Sequence, residues 1–399
     1  MSSSTTNDIE GVRSDTPLST PTSSSWSNLQ LFFEGDDFFR AMIAEFQSAR
    51  RSIHIESYIF SNDRLGERIL TELGHAVRRG VDVRIIVDGI GSSTWLPYLR
   101  RRCQSSGILL RIFHELPWER WFRGKKILPK GRSLSKAFMR INSRNHRKVC
   151  IVDSSKAFVG SLNIIEYHCA EFVGALAWRD TGAMVSGGEV SVLAASFNEL
   201  WQRRLGRRRL ARKVRQAISS GALVRLNIRR SQRRDNYLDL LVKILGARQR
   251  IWIENAYFVP DSDLVKALGV AAESGVDVRI VVPAQSDVFF MPWVTSAFHV
   301  GLLKAGARIF EYNRRMMHAK TMVIDDWGIV GSSNLNHRSL FHDLEADIVL
   351  GDAEAVRSLA AQFEIDCASS KEVTLGNWRD RPWIERALGK GLLMMRRVL

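Results

Sequence analysis

One pattern, carried twice, constrains this chain more than any other feature. "HRKVCIVD" at 146–153 and "HAKTMVID" at 318–325 each set His-x-Lys ahead of a short apolar run closed by Asp. Alternate side chains of a strand share a face, so His146, Lys148 and Cys150 fall on one side and Arg147, Val149 and Ile151 on the other. A single His-x-Lys at a strand start is ordinarily a solvated polar pair. Its repetition calls for two like halves, each presenting the pair at an equivalent point.

The surrounding succession repeats as well. "GDDFFRAMIAEFQSARRSIHIESYIF" predicts a helix capped by Asp36 or Asp37, with Phe39, Met42, Ile43 and Phe46 at helical spacing, then a strand with Ile53 and Ile55 on one face. A helix over about 64–78 and a strand over 81–88 follow. "NYLDLLVKILGARQRIWIENAYFVP" restarts the series, continued by a helix near 261–273 and the strand "GVDVRIVVP" from Gly275. This alternation predicts an α/β fold, each half a mixed sheet flanked by helices. Glu56 aligns with Glu254 at offset 198, Gly80 with Gly275 at 195 and His146 with His318 at 172, so the first half carries 23 extra residues before its motif. A unit this long is a duplicated domain, not a solenoid repeat. The expected divisions are a disordered Ser/Thr/Pro-rich tail (1–28), a first half (29–202), a basic linker region (203–235) and a second half ending in a helix (236–399).

Charge narrows the partners. With 58 Lys+Arg against 42 Asp+Glu, the net charge of +16 predicts an anionic partner, nucleic acid or an acidic membrane. The four cysteines lie far apart without CxxC, which predicts reduced thiols. No apolar run reaches the ~18–20 residues of a membrane span, and no signal-peptide pattern opens the chain. A soluble or peripheral intracellular protein is the expectation.

Six residues separate Asp153 from "GSLN", with Ser161 and Asn163; five separate Asp325 from "GSSN", with Ser332 and Asn334. HxK(x)4D followed by GSxN, present twice, resembles the phospholipase D superfamily over roughly residues 30–390. The second copy departs by one residue, read as a deletion in the turn "DDWG". The resemblance implies two pseudo-symmetric halves packed around one shared site. Two histidines on opposite sides of a phosphorus suit in-line displacement. His146 is expected to attack, giving a phosphohistidine, and His318 to act as acid and base. Lys148, Lys320, Asn163 and Asn334, with Ser161 and Ser332, are expected at the phosphate oxygens. Asp153 and Asp325 complete the motifs, and the resemblance implies structural bonds for them at strand ends. In the family an acid downstream of each motif orients each imidazole, and the matches are Asp180 and Glu345. Glu56 and Glu254 either line the cleft or anchor backbone or Arg groups. Lys is not a usual ligand and no Cys/His cluster is present, so neither metal nor cofactor is expected.

The motif leaves the phosphodiester open. "ELPWERWFRGKKILPKGRSLSKAFMR" holds eight Lys/Arg between 115 and 140 among Trp118, Trp121, Phe122 and Phe138, a mixture suited to an anionic membrane or to stacked bases. Phe289, Phe290, Met291 and Trp293 either pack in the core or line a route for acyl chains. "NSRNHRKVCIVD", "WRDTG" and "LLKAGARIFEY" are more similar to bacterial cardiolipin synthases than to nucleases. That branch implies transfer of a phosphatidyl group from one phosphatidylglycerol to another with release of glycerol. It also implies a peripheral place on the cytoplasmic face of the bacterial membrane, with anionic phospholipid as partner and no stable nucleic-acid complex. The rivals are a lipid-hydrolysing phospholipase D, a nuclease, and a basic binding protein with a decayed site.

Overall fold

The computed structural model describes residues 25–115, 143–202 and 222–392. The basic aromatic segment beyond Glu115 and the basic run 203–215 lie outside the described residues. The first sheet comprises β1 (Asn28–Phe32), β2 (Ser52–Ser57), β3 (Asp82–Asp88), β4 (Leu109–Phe113), β5 (Val149–Val152), β6 (Lys156–Gly160) and β7 (Gly182–Ser186). The second comprises β8 (Val224–Leu226), β9 (Arg250–Asn255), β10 (Asp277–Pro283), β11 (Arg308–Tyr312), β12 (Lys320–Ile324), β13 (Trp327–Gly331), β14 (Ala346–Val349) and β15 (Ser370–Val373). Their orders, β1-β7-β6-β5-β2-β3-β4 and β15-β11-β10-β9-β12-β13-β14-β8, correspond strand for strand apart from the added edge β15.

The parallel trio β2-β3-β4 needs crossovers, supplied by helices Arg64–Arg78 and Leu96–Ser106; Ser262–Glu273 and Met291–Lys304 serve β9-β10-β11. The motif strands β5 and β12 pair antiparallel to β2 and β9, at the centre of each sheet. The one-residue difference between the copies lies in the following turn. Residues 153–155 separate Val152 from its partner Lys156, whereas 325–326 separate Ile324 from Trp327.

Each sheet has an apolar outer face. Phe38, Met42, Phe46, Ile53, Ile55 and Cys150 belong to one outer core, and Leu240, Ile244, Ile251, Ile253 and Met322 to the other. The inner faces make a single third core, in which Val149, Ile151 and Val159 join Trp252, Val323 and Val330. Helices Val190–Trp201 and Ala353–Ala368 contribute Phe197 and Phe363 to it. The four cysteines are buried and unpaired.

Three expected boundaries shift. Trp26 is buried and its Nε1 donates to Val349 O (2.8 Å), so order begins inside the segment read as a tail. The helix Gly35–Ser48 has Glu34 at its N-cap without a side-chain cap; Asp36 instead accepts from Ala170 N and Glu171 N, and Asp37 pairs with Arg40. The later part of 203–235 is not linker, since β8 closes the second sheet and helix Arg230–Gly246 starts within "RRSQRR".

Candidate active site

The two halves meet where their motifs begin. Asn145 forms a parallel bridge with Leu344, and Arg179 with Met317. His146 N donates to Leu344 O (3.0 Å) and His318 N to Arg179 O (2.8 Å). Each histidine is therefore held in backbone register beside the acid of the other half. His146 Nδ1 lies 3.0 and 3.1 Å from the Glu345 oxygens, and His318 Nδ1 lies 3.0 Å from Asp180 Oδ2. Both expected acids are in place, but crossed, so neither dyad exists in one half alone. An Nδ1–H directed at a carboxylate leaves Nε2 as the nitrogen with an available lone pair.

The dyads differ electrostatically. Burial raises Glu345 to about 7 even though Lys148 and the hydroxyls of Ser332 and Ser339 favour its anion. Burial also acts against Asp180, but the charge and hydrogen bond of His318, with His168 and Lys320, take it below the usual carboxylate range. Burial, then Lys148, Lys320 and His318, press His146 well below its ordinary value. His318 is lowered by burial and Lys320, with Asp180 opposing. Lys148 falls to about 7 and Lys320 to about 8, both chiefly through burial. Each ammonium donates to the carbonyl of its own motif histidine, at 2.7 Å.

The other expected residues divide. Ser161 donates to Asp180, and Ser332 donates to Glu345 at 2.5 Å, so these hydroxyls brace the orienting acids and are not available to a phosphate. Asn163 and Asn334 are buried as well; Asn163 Oδ1 accepts from Ile59 N at 3.1 Å, while Asn334 Oδ1 has no partner among the described residues. Asp153 and Asp325 stand at the far ends of β5 and β12, away from the dyads. Their carboxylates accept from the backbone N–H groups of Arg50, Arg51 and Ser52, and of Arg248, Gln249 and Arg250. Though both complete the catalytic motifs in sequence, their oxygens are committed to backbone, which keeps them out of the reacting set.

Glu56 and Glu254 belong beneath the site, not in its cleft. Glu56 accepts from Asn145 Nδ2 (2.9 Å) and faces Arg147 at 3.6 Å; Glu254 accepts from Thr321 Oγ1 (2.8 Å) and faces Arg179 at 3.8 Å. The arginines are fully buried behind the two bridges, Arg147 donating to Ser196 and Arg179 to Asp366.

Some functional neighbours were missed in the sequence. Tyr58 meets His146 edge-on with ring centroids 5.0 Å apart, and Tyr257 meets His318 at 6.0 Å. Their shared signal was the echo of "IESY" in "IENAY". His168, five residues past Asn163, accepts from Asn163 N (3.1 Å) and faces Asp180; Ser339, five past Asn334, accepts from Asn334 N (2.9 Å) and donates to Glu345. A histidine and a serine at matching positions give no sequence echo. His168, Asp180 and His318 have cation-ligand spacing, within 4.8 Å. Here, however, Asn163 occupies His168 Nε2, and Ser161, Thr181 and His318 occupy Asp180.

A two-half α/β enzyme with His-x-Lys pairs meeting at a pseudo-two-fold axis is an enzyme of the phospholipase D superfamily. The family model described as "Cardiolipin synthase, PLD-like domain" matches residues 42–201 and 240–367. A cardiolipin synthase of Staphylococcus aureus (strain Mu50) is 30% identical over 369 residues, 90% of this chain and 71% of that protein. One from Clostridium perfringens (strain 13 / Type A) is 31% identical over 378 residues, 90% of this chain and 74% of that protein. The fold is similar to the crystal structure of a phosphatidylserine synthase from Haemophilus influenzae Rd KW20, with TM-score 0.69, 13% identity and coverage of 93% of this chain and 95% of that one. The chain therefore belongs to the cardiolipin synthase family of phospholipase D-like proteins, and its class of activity is phosphatidyl transfer. Among the described residues no helix is long and apolar enough to cross a membrane.

Proposed function

We propose that the chain makes cardiolipin, transferring a phosphatidyl group from one phosphatidylglycerol to a second and releasing glycerol. The observation that carries this reading is the pair of crossed imidazole–carboxylate dyads, each with an adjoining lysine, in one site built by both halves. His146, pressed toward the neutral form, attacks phosphorus through Nε2. The P–O bond to the glycerol headgroup breaks, and His318 gives its proton to the departing oxygen. The hydroxyl of the second phosphatidylglycerol then returns a proton to His318 as its oxygen displaces His146 from phosphorus. Lys148, Lys320 and the side-chain amides of Asn163 and Asn334 hold the non-bridging oxygens.

The net charge of +16 supports a peripheral seat on an anionic membrane, at the cytoplasmic face. Incubation with phosphatidylglycerol vesicles tests the reaction: cardiolipin and glycerol are expected, and phosphatidic acid without cardiolipin would establish a hydrolase instead. His146→Ala is expected to lower the rate on the order of 10³-fold or more. Nucleic acid cleaved in a His146-dependent manner would replace the lipid reading.

A further inference from the structure

Each GSxN segment is followed, five residues after its Asn, by a buried residue that the halves do not share: His168 in the first and Ser339 in the second. The residue types differ, but the atoms are used alike. Ser339 Oγ accepts from Asn334 N at 2.9 Å and donates to Glu345 Oε1 at 2.5 Å. His168 Nε2 accepts from Asn163 N at 3.1 Å, which commits the neutral ring's proton to Nδ1. That Nδ1 faces Asp180 Oδ2 at 3.5 Å and has no other partner among the described residues. Burial takes the ring down to about 3, so it remains the neutral donor that this arrangement needs.

The acids change in the opposite sense. Asp180 and Glu345 hold equivalent backbone places, since Ser161 N donates to Thr181 O as Ser332 N does to Ala346 O. An aspartate is one methylene shorter than a glutamate, so its carboxylate stops nearer its own backbone. An imidazole reaches further than a serine hydroxyl and makes up the difference. One half thus sets a short acid against a long partner, and the other a long acid against a short one. The His168 ring is also fixed in place. Trp178 meets it edge-on at 5.3 Å, and Gly35 comes so near that a Cβ there would lie 2.0 Å from His168 O.

We propose that His168 and Ser339 are positioning residues, each a two-ended strut that sets the Asn of its own half against the acid that orients the other half's histidine. The proposal rests on the reading above for one point, that Asn163 and Asn334 hold the phosphate oxygens. Asp180 Oδ2 then takes two Nδ1–H groups, from His318 at 3.0 Å and from His168 at 3.5 Å, and is aimed by both. A phosphate held at Asn163 is thereby aligned with His318 through a chain of fixed side chains. Neither strut touches the substrate, and each acts only through the groups at its two ends.

A strut couples its two ends, and a coupled pair gives non-additive losses. Glycerol release from phosphatidylglycerol vesicles is common to transfer and hydrolysis, so it measures the strut whichever lipid forms. Cardiolipin or phosphatidic acid among the products judges the reading above separately. His168→Ser and Asp180→Glu, assayed below the Tm of each, should each lower kcat about tenfold or more with little change in KM. The double variant, which gives the first half the second half's own pair, should be more active than either. Losses that simply multiply, or full activity in a single variant, overturn the proposal. His168→Gln and His168→Asn leave less empty space and each keep one end, since Gln reaches the Nε2 place and Asn the Nδ1 place. Both should lose kcat, and full activity in either would show that one end suffices and overturn the strut. NMR of the ¹⁵N-histidine-labelled full chain needs no substrate. The His168 signal, identified by its loss in His168→Gln, should show the Nδ1–H tautomer at neutral pH, and an Nε2–H or charged ring would overturn the assignment.

Discussion

His146 and His318 share a motif but not an environment. Glu345, raised to about 7, is a weaker counter-ion than Asp180, which stays ionised throughout the working range. Removing the charge from Asp180 should therefore harm catalysis more than the matching change at Glu345. Asp180→Asn is expected to lower kcat on the order of 10²–10⁴-fold with a small change in KM, because the imidazolium loses its partner in the transition state. Glu345→Gln should cost clearly less, and equal losses in steady-state assays would count against the asymmetry. The lysines set a pH dependence. Both ammoniums are charged below their values of about 7 and 8 and lose their protons as pH rises. The kcat/KM should consequently fall through that window, since the charge that holds the phosphate oxygens disappears. Lys320→Arg, whose guanidinium does not titrate there, should shift the remaining fall toward the lower value. A profile flat from pH 6 to 9 would refute the assignment. At this scale the histidines and lysines were legible because the motif repeats. The bracing serines were misplaced because a Ser after Gly can face either a phosphate or a neighbouring acid, and spacing does not separate the two.

Strands and turns explain why each motif ends in Asp. Asp153 has φ 52° and Asp325 φ 49°, so each sits in the left-handed region at the start of its hairpin turn and collects three backbone N–H groups. Their carboxyls lie below the usual range because those N–H groups outweigh the opposing effect of burial. Asp153→Ala should destabilise the fold by about 2 kcal/mol, as a charged acceptor is lost from groups only partly reached by water. Asp153→Asn, which keeps an acceptor and tolerates positive φ, should lose less. Urea unfolding measures both, and activity per folded molecule should remain. A large fall in activity at unchanged stability would return Asp153 to the reacting set. The periodic helices and central strands were visible in the sequence, yet β1 and β8 were not. "NLQLF" and "VRL" are edge strands too short for a period to distinguish from tail or linker.

The crossed site makes the duplicated chain a single unit. No local pattern could reveal that Asn145 bridges Leu344, because a lone parallel bridge has no period of its own; only the presence of two acids hinted at it. The same interface is fastened by Arg179, whose Nε and second guanidinium nitrogen lie 2.9 and 2.7 Å from Asp366 Oδ2 on the inner helix of the second half. Arg179 precedes Asp180 and its carbonyl accepts from His318 N, so one buried ion pair fixes both the contact of the halves and one dyad. Asp366→Ala leaves that guanidinium its bonds to Asp180 O and Thr181 Oγ1 and, of its two ion-pair partners, the more distant Glu254 at 3.8 Å; removing one partner of a buried pair costs about 3–5 kcal/mol. The inner core mixes residues of both sheets, so the lost stability should appear as one cooperative transition at lower Tm. Phosphatidyl transfer should fall before unfolding begins, as the Asp180 loop loses its anchor. Two separate transitions in calorimetry, or full activity in the folded variant, would show that the halves stand independently and that Arg179 serves packing alone.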